Sequence, residues 1–95
     1  MTQLELVEHR RQKLKDQIQC HLDLLIGSVH KTPSQGGYHL TAKADGKTVT
    51  KYVRKEFVPL AMEMTLNHLH VRKLLRQISA VNWRWLQLQK QHPTN

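Results

Sequence analysis

The dipeptide Asp45-Gly46 restricts what this chain can fold into more than any other feature. A two-residue type I′ turn needs φ > 0 at both central positions, and Asp-Gly meets that need at little steric cost. The runs on either side, Tyr-His-Leu-Thr-Ala-Lys-Ala and Lys-Thr-Val-Thr-Lys-Tyr-Val-Arg, are rich in Thr, Val and Tyr. Their spacing predicts strands over residues 38–44 and 47–54, forming a hairpin over 38–54. With a two-residue loop, Ala44 falls opposite Lys47 and the register follows. Tyr38, Leu40, Ala42, Val49, Lys51 and Val53 then share one face. His39, Thr41, Lys43, Thr48, Thr50 and Tyr52 share the other, with Lys47 and Arg54 at the ends. A three-residue turn with a bulge at Gly46 is the competing register.

Helical periodicity flanks the hairpin. Leu4, Val7, Leu14, Ile18, Leu22, Leu25 and Val29 recur at steps of three, four or seven, which predicts an amphipathic helix over residues 3–26. Thr2 is its expected N-cap, and Glu5 three residues later completes a capping-box pattern. Gly27-Ser28 would close this helix, and residues 31–37 have the Pro, Ser and Gly of a short connection. Pro59 suits a first turn, so a second helix is expected over 57–90. Its seam would comprise Phe57, Leu60, Met64, Val71, Leu74, Ile78, Val81, Trp85 and Leu88. The helix should run unbroken past Asn67-His68, since neither Gly nor Pro interrupts it, and residues 92–95 should fray.

The expected fold class is therefore α+β, mainly α: two long amphipathic helices, an antiparallel pair, joined through a basic β-hairpin in a single domain spanning residues 1–95. The hairpin would sit at one end of the pair or wedge against it. Arg11 falls on the apolar seam, its stem lying along the core and its head reaching solvent or Asn67 and His68. Trp83, Trp85, Leu86 and Leu88 are the candidate surface for a homodimer; Trp85 fits the seam and Trp83 does not.

Charge narrows the partner. Fifteen Lys+Arg against seven Asp+Glu give a formal net charge of +8, and residues 30–55 hold five Lys and one Arg against a single Asp. Such a balance points to a polyanion. Lys43, Lys47, Lys51, Arg54 and Lys55 are the candidate phosphate contacts, with His39, Thr41, Thr48, Thr50 and Tyr52 as groove or sugar contacts. Protecting a solvated edge strand would need only one or two Lys. The helical clusters His9, Arg10, Arg11, Lys13, Lys15 and Arg72, Lys73, Arg76, Arg84 are a secondary track, the first interleaved with Glu5, Glu8 and Asp16. Duplex DNA ranks ahead of RNA, because two Trp, two Tyr and one Phe leave little to stack on unpaired bases. A coiled-coil adaptor acting through its helical seam is the reading from another class.

Other chemistry is not encoded. The seven His lack metal-ligand spacing, so no metal or cofactor is expected. No paired carboxylates, nucleophile elbow or glycine-rich phosphate loop is present, and a non-enzymatic protein is the expectation. The lone Cys20 implies no oxidising compartment. With no run of about 18 apolar residues, a cytoplasmic protein without membrane attachment is expected.

The run from Gly37 to Glu56, with its Asp-Gly-Lys-Thr-Val-Thr-Lys-Tyr-Val-Arg-Lys-Glu and the helix after it, resembles a family of short, uncharacterised bacterial proteins. These share a Gly-Lys-Thr…Tyr-Val-Arg/Pro-Lys-Glu core, and the resemblance covers residues 36–86. Members often lie near mobile-element genes, which implies an accessory factor of a mobile element and no defined activity. The hairpin is also similar to the arm-type DNA-binding domains of tyrosine recombinases, where Asp-Gly-Lys-x-x-x-Lys-x-x leads into a helix. This sequence departs from that pattern by showing no clear third strand before Tyr38 and a far longer helix after the hairpin. The likeness implied is one of surface chemistry.

Overall fold

A computed structural model describes residues 1–34 and 36–91. In chain order the elements are α1 (Gln3–Gln19), β1 (Ser28–Lys31), β2 (Tyr38–Ala44), β3 (Lys47–Val53), a 3-10 turn (Lys55–Phe57) and α2 (Val58–Gln91). The fold is α+β and mainly helical, and its residues gather into two compact units. One comprises Met1–Leu22 and the chain from His70 onward; the other comprises Asp23–Leu69. The expected fraying at 92–95 lies outside the described residues.

In the first unit, the Thr2 hydroxyl accepts a hydrogen bond from the Glu5 amide at 3.1 Å and caps α1 as its sequence predicts. The helix stops at Gln19, seven residues short of the predicted end at Ile26. Two sets of bonds replace the helical ladder there. The Cys20 amide still reaches Asp16, but the His21 amide tightens onto Ile18 at 3.0 Å, and the His21 ring donates through Nδ1 to the Gln17 carbonyl at 2.7 Å. Farther on, Leu25 donates its amide to the Met64 carbonyl at 3.1 Å, and the Asp23 carbonyl accepts from the Asn67 amide nitrogen at 2.9 Å. The Asp23 carbonyl and the Leu25 amide thus find their partners on α2, an option that local periodicity cannot reveal.

Contacts along α1 fix its pairing with the C-terminal part of α2 as antiparallel. Arg84 donates to Gln3 at 3.1 Å, Arg11 Nε donates to Asn82 Oδ1 at 2.7 Å, and the His21 and His70 rings lie 4.5 Å apart. This register sets Arg11 against Asn82 and Trp85, not Asn67 and His68 as expected, with the guanidinium 4.4 Å above the Trp85 ring. Leu14, Val71, Leu74 and Leu88 form the buried centre. Leu88 (1 % exposed) therefore belongs to this unit's interior and cannot serve a dimer surface, while Trp85 is half-buried and Trp83 and Leu86 remain exposed.

In the second unit the hairpin forms in the predicted register. Asp45 and Gly46 take φ of 52° and 76°, Ala44 pairs with Lys47, and the bulged alternative is not adopted. A third strand, absent from the sequence reading, adds to it: β1 pairs antiparallel with β2, aligning Ser28 with Thr41 and Lys31 with Tyr38, in the order β1-β2-β3. Gly27 permits this. At φ 137° its backbone runs so close to β2 that a Cβ would stand 2.6 Å from the Thr41 carbonyl oxygen. Val58 and Ala61 of α2 are buried. Phe57 and Leu60, assigned to the seam by spacing, instead stay about half exposed around an apolar hollow shared with Leu40, Val53 and Met64. The described α2 is one helix with no break at Asn67-His68, as expected.

Two stability effects follow. Gly27→Ala should cost about 3 kcal/mol, since an unsuited φ and a backbone clash add together, while Gly46→Ala, with open space around it, should cost about 1 kcal/mol. Urea denaturation reads both, and equal losses would contradict the close approach of Gly27 to β2. Arg11→Ala should lose about 1–2 kcal/mol through its Asn82 hydrogen bond and Trp85 contact, with Arg11→Lys recovering only part because a lysine cannot reproduce the planar fork.

Candidate nucleic-acid interface

Strand alternation distributes the candidate residues between two faces. Cross-strand rows place Ser28, Thr41 and Thr50 side by side, then His30, His39 and Tyr52, with Lys43 opposite Thr48. One face of the sheet therefore carries His39, Thr41, Lys43, Thr48, Thr50 and Tyr52 together, as the hairpin register predicts. Strand β1 contributes Ser28 and His30, which sequence reasoning missed. The signal available was the alternation Ser28-Val29-His30 directly after Gly27. The opposite face carries Tyr38, Leu40, Ala42, Val49 and Val53, and with them Lys47 and Lys51. Arg54 follows β3 in extended backbone, but its guanidinium lies 5.9 Å from the Phe57 ring centroid beside the apolar hollow, while Lys55 opens the 3-10 turn. Of the five candidate phosphate contacts, Lys43 thus stands on the polar face; Lys51 projects from the other side of edge strand β3, and so does Lys47, expected at the end of the polar face, because the period of two sets it with Val49 and Val53.

These cations are weakly opposed. Among the described residues the ion pair found is Arg54 with Glu56, 3.9 Å apart with both side chains about 70 % exposed (70 % and 68 %), a geometry that contributes little in water. The helical cations are less free: Arg11 is engaged by Asn82 and Trp85, and Arg84 by Gln3.

The polar face is not flat. His30, Thr32, His39, Thr41, Thr50 and Tyr52 line a hollow of about 480 Å³. Tyr52 meets the His39 ring edge-on, centroids 5.7 Å apart, and His39 is only 8 % exposed although it lies on the outer face. The Thr41 hydroxyl lies 3.5 Å from His30 Nε2, at the limit of a hydrogen bond. His39 Nδ1 is buried without a partner among the described residues.

Strands spaced 4.7–4.9 Å apart make a three-stranded sheet about 10 Å wide between its outer backbones, comparable with the DNA major groove at about 12 Å. No family model, curated protein or solved structure matches the chain. If Tyr52 is what shelters His39, Tyr52→Ala should raise the rate at which diethyl pyrocarbonate modifies that ring about tenfold; an unchanged rate would assign the cover to another group.

Proposed function

We propose that this chain is a non-enzymatic DNA-binding protein that lays the polar face of its β-sheet along duplex DNA. The observation carrying this reading is the makeup of that face: Lys43, two imidazoles, a phenol and a row of hydroxyls, with no carboxylate in the strand rows that form it. Lys43 would neutralise a phosphate, and Thr41, Thr48, Thr50 and Tyr52 would orient the sheet against sugar, phosphate and base edges. Lys47, Lys51, Arg54 and Lys55 add attraction from the rim. The third strand removes one departure from the arm-type domains that the hairpin resembles, and the long α2 remains the other. An accessory role in a mobile element is the setting suggested by the resemblance of residues 36–86.

RNA is the second reading, and it fits less well. Stacking on unpaired bases needs several aromatic rings on one surface. Among Tyr and Trp, Tyr52 alone stands on the polar face: Tyr38 lies on the opposite one and Trp83 belongs to the other unit. An adaptor role would use Trp83 and Leu86, which are 63 % and 51 % exposed. Sedimentation with and without duplex separates it from nucleic-acid binding.

Duplex affinity should fall steeply with salt, and Lys43→Gln should lower the slope of log K against log salt by about 0.9. Lys51→Gln, on the opposite face, should change that slope less. Replacing Lys43, Lys47 and Lys51 together by Glu should abolish binding without lowering the melting temperature. Equal retention of a duplex at low and high salt would overturn the proposal.

A further inference from the structure

We infer that the hollow between His30, His39, Thr41, Thr50 and Tyr52 is a phosphate seat, the place where one backbone phosphodiester of the bound nucleic acid is held by neutral donors. The inference rests on the reading of the polar face as a nucleic-acid interface and adds a ligand group and a set of atoms to it. Every polar side chain lining the hollow can donate a hydrogen bond: the hydroxyls of Thr32, Thr41 and Thr50, the phenol of Tyr52 and the two imidazoles. None is a carboxylate or a carboxamide. Hydroxyls and imidazoles accept as well as donate, but none of these side chains carries negative charge, so an anion in the hollow meets donors on several sides and no repulsion.

Burial and position strengthen the assignment. His39 lines the hollow while more than nine-tenths buried, and its Nδ1 has no hydrogen-bond partner among the described residues. Lys43 stands two residues beyond Thr41 on β2. At 3.2–3.4 Å per residue, the Lys43 backbone lies about 7 Å along β2 from Thr41. Lys43 therefore stands beside the donors, drawing the backbone in while the hollow fixes one of its phosphates. The hollow is roomier than a lone phosphate group, leaving space for the sugars on either side.

The test follows imidazole nitrogens of the full chain by NMR during titration with a 20-base-pair duplex and, separately, with inorganic phosphate. Affinity and salt slope are then measured for Thr41→Val with Thr50→Val. The expected result is a shift of the His39 nitrogens with duplex and about a tenfold loss of duplex affinity in the double variant. The salt slope should not change, because hydroxyls neutralise no phosphate. Thr41→Ser with Thr50→Ser keeps the hydroxyls and should bind as the unsubstituted chain does, which separates a binding loss from a folding defect. Duplex binding that leaves His39 unmoved and is unaffected by the valines would overturn the seat while the interface reading stands. Inorganic phosphate that shifts His39, with loss of the shift in the valine variant and no duplex binding, would leave the seat as a site for free phosphate and overturn the interface. No response to either ligand would overturn both.

Discussion

The turn at Asp45-Gly46 governs everything the sheet presents. Side chains on a strand alternate with period two, so a slip of one residue between β2 and β3 would reverse one strand's faces. Thr48, Thr50 and Tyr52 would exchange sides with Val49, Lys51 and Val53. The positive φ at both turn positions matches the twist of the flanking strands and sets Ala44 against Lys47. From that pairing follow the row His30-His39-Tyr52, the hollow beside it and the burial of His39. A backbone preference of two residues thereby decides which chemistry faces outward.

Where a residue pattern has one physical solution, it was legible. The hairpin, its register, the division of its faces, the Thr2 cap and the uninterrupted α2 all follow from rules that act within a few residues. The departures arise where a distant partner competes with the local rule. Leu22 and Leu25 keep helical spacing, yet the backbone around Leu25 bonds to Met64 and that near Asp23 to Asn67, so α1 ends early. Strand β1 has four residues and one apolar side chain, too little to announce itself; it exists because β2 offers an open edge and Gly27 can approach it. The Asn82 partner of Arg11 depends on helix register across 71 residues of sequence. For the candidate site, the polar face of the hairpin was legible from alternation, whereas Ser28, His30 and the hollow required the third strand.

The same residues answer two demands on the sheet. With three strands, β1 and β3 are both edges, and Lys31, Lys47 and Lys51 discourage pairing with other chains whatever else they do. Lys43 is different: it lies on the central strand β2, where no edge needs guarding. Its exposed ammonium, and the shielded His39 four residues before it, are the two features of this surface that solubility alone does not account for.

The placement of aromatic residues gives the chain an internal optical division. Both indoles, Trp83 and Trp85, belong to the helical unit, and both phenols, Tyr38 and Tyr52, belong to the sheet unit. Trp83 faces solvent while Trp85 is half-buried beneath a guanidinium, so the two differ in polarity of surroundings. Emission excited at the red edge of the indole band, beyond tyrosine absorption, therefore reports on the helical unit, which lets its melting be followed without a label.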